Sequence, residues 1–525
     1  MGWFHRDVSA RDCTGTKVPI SHLCPQYHDA SLSSKSRLLL VSFSESETAF
    51  LGRAAKILVT SGNWECGFLL LHDLAKDSSI VADFDAIGIS HYSSSEGQFY
   101  TEDINNEPIQ EVYQKVKQFL RSKHPARYNV LRDKALAFQS FWFKIPWISE
   151  YDLMVEKARE ESRLRGYIDA AGRFFAARTP DILILAKDSA YYSTTAFVQA
   201  ARNLGIPSVV IPYDRADSVT LAKDRLGHPN HVIRSHAARE VAKKFPAWVY
   251  THENQALLLV APATIYAIEQ LNLAPPNPWG YNNSRCDQIF LETEEDRQLF
   301  LKNGAPPDQL VVVGAPYMDN IDEMLCQRDR LRAQLCSRFG FDPDKPFVIA
   351  SVPPNKVSQR TTEIEFQNYR TLLEKWSSAL VTSLDCNLIY SLHPLTNPAD
   401  VAFMEKTGGK FLQRPLEELL AVADLYVVDS SSTARWARYA GLDVIDYDVY
   451  GYNLWFNSAI EGVLHVTSYG QFLAELATAR ERLQCERNQL LGAERQPPIQ
   501  RFGERLSLEL KKLLNSNSPE ARNVV

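Results

Sequence analysis

Residues 388–447, LIYSLHPLTNPADVAFMEKTGGKFLQRPLEELLAVADLYVVDSSSTARWARYAGLDVIDY, constrain the fold more than any other stretch of the chain. An apolar run at 387–392 ends on His393 and Pro394. A second at 423–428 ends on Asp429 and the hydroxyl cluster Ser430, Ser431, Ser432 and Thr433, which opens a helical segment at 434–440. Short continuous apolar runs bounded by polar turns read as strands buried on both faces, the habit of a parallel α/β sheet. Two adjacent βα units carry their strand ends to one sheet edge, so both runs point polar groups the same way. Ligands of open α/β sheets bind outside the carboxyl ends of the strands. A helix starting there adds unpaired N–H groups and partial positive charge. Ser and Thr can cap such a helix and still leave hydroxyls for a phosphate oxygen, and His393 adds a titratable donor. Each motif alone has a plainer explanation, a helix cap or a strand stop; as a pair in adjacent units they predict a phosphate-binding edge.

Upstream, residues 37–43 (RLLLVSF) read as a buried strand, followed by SESE and a helix at 48–60 that Ser44 or Ser46 can cap, with Glu47 in its first turn. Strands are expected at 68–72 and 86–90, and long helical patterns fill 107–178, with an aromatic cluster of Phe138, Phe141, Trp142, Phe143 and Trp147 read as core packing. From Pro180 the alternation is regular: strand PDILILA, helix 191–204 stopped by Gly205, strand 206–212, a βαβ unit that crosses over right-handed. Lys187, Asp188 and Ser189 close its first strand, and Tyr213, Asp214 and Arg215 its second. Asp188 is the first candidate for a catalytic carboxylate, since a strand-end carboxylate can take a proton from an attacking hydroxyl; it can equally cap the following helix. A strand at 247–251 leads to His252, Glu253 and Asn254 and a helix at 255–271, making His252 and Glu253 a second acid/base pair. Strands at 287–291 and 309–313 flank another helix, and Gly314-Ala315-Pro316 closes the N-terminal half.

A charged helical linker at 320–339 precedes a new strand from Pro346, whose loop (351–360) carries Asn355, Lys356 and Arg360. Helix 365–383 leads to the opening stretch. After a strand at 443–447, an aromatic loop (YGYN at 450–453 and Trp455) and helices at 471–490 and 501–514 complete the chain, with a frayed tail from 516.

With 525 residues, 45% hydrophobic and 23% charged, the chain can build two full cores. A net charge of −6 argues against a general nucleic-acid binder. Its eight cysteines (Cys13, Cys24, Cys66, Cys286, Cys326, Cys336, Cys386, Cys485) form no CxxC pair, which argues against a zinc site or disulfide framework and for a reducing compartment. The first residues lack the apolar core of a signal peptide, and no stretch approaches the length of a membrane span.

The HP strand end followed, one βα unit later, by a strand ending in DSSST resembles the nucleotide-binding domain of GT-B glycosyltransferases. It is most similar to the group using cytidine-linked donors: bacterial sialyl-, polysialyl- and Kdo-transferases and CDP-glycerol glycerophosphotransferases. UDP-N-acetylglucosamine 2-epimerase shares that fold. The resemblance implies an α/β protein of two Rossmann-like doubly wound domains facing a cleft, with extra helices in the N-terminal half. The expected divisions are a lead-in (1–36), an acceptor domain (37–314) with a helical insertion (107–178), a nucleotide-donor domain (315–500), and a C-terminal helix and tail (501–525) packing back on the first domain. The donor would be held by His393, Pro394, Ser430, Ser431, Ser432, Thr433 and Lys356, and the base would be Asp188 or the His252/Glu253 pair.

By the same resemblance the activity is a glycosyltransferase of polysaccharide, capsule or lipopolysaccharide synthesis. It would use a CMP- or CDP-linked or UDP-linked sugar as co-substrate and no metal or other cofactor. Its acceptor would be a glycan or lipid-linked glycan, with no nucleic-acid partner. The expected location is the cytoplasm, peripheral at the inner face of the membrane or in a complex. Three departures narrow this. Trp436 stands where many members carry an acidic residue for the ribose. The paired-acid-plus-glycine motif of the sialyltransferases is absent, SEG at 95–97 and IEG at 460–462 coming nearest. The epimerase's acidic and histidine set has no counterpart around IPYDRAD. The rivals are a CDP-alditol glycerol- or ribitol-phosphate transferase and a catalytically silent scaffold that binds nucleotide or glycan.

Overall fold

The computed structural model describes residues 35–72, 79–94, 146–190, 193–213, 215–226, 228, 230–282, 285–356, 365–392, 396–412, 414–452, 460–486 and 501–517. His393, Pro394, Asp214, Arg360, Asn453, Trp455 and the four aromatic residues at 138–143 lie outside them, as does the side chain of Trp147. The described residues divide into two units, one from 35 to 315 with 502–517, the other from 316 to 501.

The N-terminal unit is built on a seven-stranded sheet. In chain order its strands are β1 (Ser36–Ser42), β2 (Trp64–Leu70), β3 (Ser90–Ser93), β4 (Ile182–Leu185), β5 (Ser208–Val210), β8 (Gln288–Leu291) and β9 (Leu310–Val312); β6 (Val249–His252) and β7 (Gln255–Leu258) form a separate antiparallel pair. The spatial order is β3-β2-β1-β4-β5-β8-β9, every pairing parallel. The C-terminal unit carries β10 (Phe347–Ser351), β11 (Asn387–Ser391), β12 (Lys410–Phe411), β13 (Leu425–Val428), β14 (Asp443–Tyr447) and β15 (Val463–Val466) in the order β12-β11-β10-β13-β14-β15, again all parallel. Renumbered within its unit, each sheet reads 3-2-1-4-5-6, the doubly wound Rossmann order; the N-terminal one adds a seventh strand. The protein is therefore an α/β chain of two Rossmann-like units, each with the doubly wound sheet expected of it from the sequence.

The central strands are apolar throughout because helices cover both faces: β4 (ILIL) and β13 (LYVV) are buried at every position. Trp376, Tyr390 and Tyr447 fill the C-terminal core. The N-terminal core takes Phe502, Leu506, Leu510 and Leu513 from the helix Phe502–Ser516. These recur at helical spacing on one face, and each buried side chain of this size contributes about 1.5–3 kcal/mol. The helix Pro146–Arg178, 33 residues long, supplies Phe174 and Phe175 to the buried interior of the same unit.

Two local expectations are corrected. Residues 86–90 are the end of a helix (Ser79–Ile87), a left-handed Gly88 (φ 74°) and only the first residue of β3. Residues 255–271 are β7 and a shorter helix, Pro262–Gln270, which starts on the proline that suits a first turn. The β6–β7 turn consists of Glu253 and Asn254, both at positive φ (48° and 61°), the geometry of a two-residue primed hairpin. The helix expected at 434–440 is present as Ala434–Tyr439, less than two turns, so its macrodipole is a short one.

Candidate functional site

In the C-terminal unit the strand order reverses between β10 and β13, and the loops after these two strands carry Lys356 and the run Ser430–Thr433. Four of the sequence-predicted donor residues and the lysine thus sit at the carboxyl ends of the strands that flank the switch point, where doubly wound sheets bind ligands. A chain of hydroxyls joins the two loops: Ser351 Oγ is 2.6 Å from the Tyr426 hydroxyl, which is 2.7 Å from Thr433 Oγ1, which is 2.9 Å from Ser431 Oγ. Ser431 Oγ also accepts the Thr433 N–H, and Ser432 is the exposed member of the cluster. Tyr426 is fully enclosed, and burial pushes its phenol up to about 12.

The lysine loop is fixed by tyrosines. Tyr369 and Tyr450 donate to the carbonyls of Pro353 and Pro354, the Lys356 N–H donates to the Tyr450 hydroxyl at 3.4 Å, and the Lys356 ammonium lies 5.2 Å from the centre of the Tyr452 ring. Tyr450 and Tyr452, of the aromatic loop read from the sequence, thus lie against the lysine loop.

Beneath the hydroxyls are three carboxylates, Asp429, Asp446 and Asp448, only 9%, 0% and 1% exposed; the sequence reading placed Asp429 at a strand end without a role and did not single out the other two. Asp446 Oδ1 accepts the Ser430 N–H at 2.6 Å and its other oxygen faces His465 Nδ1 at 3.3 Å; that hydrogen bond raises the imidazole's pKa. Asp448 Oδ1 accepts from Ser430 Oγ at 2.9 Å and from the Tyr452 N–H at 2.8 Å, while Asp429 accepts the Val449 N–H at 3.2 Å. Burial, then the charges of Asp448 and Asp446, push Asp429 up to about 8, with Lys356 near enough to oppose the shift. Asp446-Tyr447-Asp448 is an Asp-x-Asp triplet, as are 83–85 and 342–344, so the expectation of a metal-free site cannot lean on such a motif being missing from the sequence. Among the described residues no three His, Cys, Asp or Glu side chains converge on a metal-holding arrangement. The sequence signal was present: acids at alternate positions in an otherwise apolar strand share one face and need partners once buried.

Trp436, in place of the ribose acid, stacks on Tyr317 with ring centres 4.6 Å apart and 18° between planes, and Tyr439 meets the same tyrosine edge-on. It is a packing residue of its unit.

In the N-terminal unit the order reverses between β1 and β4. At that point Lys187 Nζ lies 2.5 Å from Glu47 Oε1, both side chains nearly enclosed, and Glu47 Oε2 accepts the Phe43 N–H. Ser44 is the N-cap of helix Glu45–Thr60, accepting the Glu47 N–H, so Glu47 leaves the first turn to reach back over the strand end. Beside it Ser42 Oγ, Thr48 Oγ1 and His72 Nε2 form a chain with spacings of 2.8 Å. Arg215 pairs with Glu292 and Asp296 at the ends of β5 and β8.

Asp188 is at the end of β4, 2% exposed, and its carboxylate accepts from Thr194 Oγ1 and the Arg285 N–H, with the Cys286 thiol 3.9 Å away. Its own N–H donates to Asn282 Oδ1. Asp188 thus braces the start of helix Thr194–Asn203. His252 and Glu253, 3.7 Å apart, are on the β6–β7 hairpin rather than at a strand end of the seven-stranded sheet, and Glu253 is largely exposed. The structure does not bring them together with Asp188 in one hydrogen-bonded group among the described residues.

No protein-family model and no curated protein matches the chain. Among solved structures it is similar to UDP-GlcNAc 2-epimerase from Neisseria meningitidis bound to UDP-GlcNAc, at 11% identity and a TM-score of 0.44, covering 91% of this chain and 100% of that one. It is also similar to Acinetobacter baumannii MurG (12%, 0.42, covering 86% and 92%). A third is CalG4, the calicheamicin glycosyltransferase (13%, 0.43, covering 93% and 97%). The assignment of the fold rests on the strand order of the two sheets.

Proposed function

We propose that this chain is a glycosyltransferase that moves a sugar from a nucleotide-activated donor, cytidine-linked by preference, to a glycan or lipid-linked acceptor. The observation that carries the reading is the convergence of Lys356 and the Ser430–Thr433 hydroxyls on the switch point of the C-terminal sheet. An ammonium and several hydroxyl donors suit a phosphate, and in sugar transfer the phosphate is the leaving group on which charge develops. The acceptor hydroxyl attacks the sugar carbon, its proton passes to a base on the protein, and the bond to the phosphate oxygen breaks with its electron pair. Ser431, Ser432 and Thr433 would face the donor, with His393 and Pro394 completing the set. The acceptor side is assigned to the N-terminal unit, with Asp188 as the base and, at the same strand ends, the Glu47–Lys187 pair and the Ser42–Thr48–His72 chain; His252 and Glu253 are the alternative pair. Two doubly wound units, each with its own polar strand-end group, fit a reaction of two substrates. No step in this scheme is assigned to a metal.

The stacked Trp436 favours a second reading, a scaffold that holds nucleotide without transferring sugar, because no carboxylate is supplied at that position for the ribose. Incubation with CMP-, CDP- and UDP-linked donors, with and without glycan acceptors, separates the two. Acceptor-dependent release of nucleotide is expected from a transferase; bound nucleotide with no release from any donor would establish the scaffold. Glycerol- or ribitol-phosphate in the product would identify the alditol-phosphate alternative.

A further inference from the structure

Ser430 has a backbone conformation that side-chain-bearing residues rarely adopt, at φ 45°, and it is the residue on which the hydroxyl loop turns away from β13. Left-handed backbone is unfavourable for a residue with a Cβ and persists where its surroundings hold it. Here two buried carboxylates do so from two directions. Asp446 takes the Ser430 N–H at 2.6 Å, and Asp448 takes the Ser430 hydroxyl at 2.9 Å. Both acids belong to the next strand and its end, sixteen and eighteen residues along the chain. Asp448 also takes the Tyr452 N–H, so the same carboxylate fixes the loop whose tyrosines anchor Lys356.

We propose that Asp446 and Asp448 are positioning residues: they hold Ser430 left-handed, and thereby set the aim of the Ser431, Ser432 and Thr433 hydroxyls, without touching the ligand themselves. The ligand-facing half of this proposal rests on the nucleotide-binding reading above. It assigns the Asp-x-Asp triplet at 446–448 to a backbone clamp in place of a cation site, since Asp446 and Asp448 accept from Ser430, and Asp448 also from the Tyr452 backbone.

Glycine adopts positive φ unaided, which gives a test by rescue. Amide hydrogen exchange of the segment 429–434, measured with no nucleotide present, reads the clamp directly; CMP affinity reads its consequence. Asp448→Ala, which removes the bonds from Ser430 Oγ and the Tyr452 N–H, is expected to speed exchange at least about tenfold and to weaken CMP by a similar factor, the scale of losing hydrogen bonds to a charged group. In a Ser430→Gly background the same change should cost less than about threefold, because the turn no longer needs holding. Ser430→Ala, which breaks the contact from the loop side and leaves the buried acid in place, should reproduce the faster exchange if Asp448→Ala fails to fold. Equal loss of CMP affinity in both backgrounds would show that Asp448 acts other than by holding Ser430 and would overturn the proposal. Unchanged exchange in Asp448→Ala and Ser430→Ala would overturn it too, as would CMP binding that requires Mg²⁺ or Mn²⁺ and loses that requirement with Asp448. A wild-type chain that binds no nucleotide would count against the functional reading alone, and the exchange measurement would still decide the clamp.

Discussion

The switch point of the N-terminal sheet holds an enclosed ion pair, Lys187 against Glu47, beside its Ser42–Thr48–His72 chain, whereas the hydroxyls at that of the C-terminal sheet are held by one another and by buried carboxylates that accept from N–H and O–H groups. The two units share a strand order, so the contrast is one of side chains and not of topology. An enclosed ion pair is rigid only while both partners remain, since removing one leaves an uncompensated charge. A hydroxyl network loses one link at a time, and its members can turn to meet a ligand's oxygens. The fold therefore offers two kinds of strand-end site: a stiff ionic one, and an adaptable one suited to a phosphate.

Breaking the ion pair should have the largest effect. Lys187→Met strands the Glu47 carboxylate and is expected to cost about 3–5 kcal/mol of stability in urea unfolding, while Lys187→Met combined with Glu47→Gln should recover most of it. A loss below about 1 kcal/mol for the single change would show the pair to be solvated. On the other side, Tyr426→Phe cuts the hydroxyl chain between Ser351 and Thr433 and should cost about 1–3 kcal/mol, with weaker nucleotide binding; a neutral substitution would mean that the chain is not a supporting element.

The smallest effect is on pH dependence and sharpens the comparison. The unfolded chain releases the Asp429 proton near an ordinary pKa of about 4, the folded one near 8. Between these values the folded state binds more protons, so stability falls as pH rises across that window and levels off above it. His465 acts in the same direction: raised by its bond to Asp446, it contributes fully below its ordinary pKa of 6.5 and that contribution is lost as pH rises through the folded value. Melting temperature should decline from about pH 5 to about pH 8, and Asp429→Asn should flatten the decline. An unchanged slope in that variant would remove Asp429 as its source.

The apolar runs PDILILA and ADLYVVD were legible as strands because a strand buried on both faces leaves a continuous signature whatever it packs against. The LLLV run at 257–260 was not, since it fits a buried helix as well as a strand and the deciding feature was the left-handed turn at Glu253 and Asn254, which lacks the usual glycine. AIGIS misled for a related reason, its glycine ending a helix where a strand was expected. In the site, Lys356 and the serines were visible from position along the chain. Glu47 and Lys187, and Asp446 and Asp448 with Ser430, were not, because partners 16 to 140 residues apart meet only through the order of the strands.

The central claim is that the C-terminal strand-end site binds a nucleotide, and thermal-shift measurement with CMP, CDP, UDP, GDP and ADP tests it most directly, because a ligand that binds only the folded state raises the melting midpoint according to its affinity. A rise with CMP or CDP that is lost in Lys356→Ala and Ser431→Ala is the predicted result. No rise with any of the five, or a rise that both variants retain in full, would contradict it.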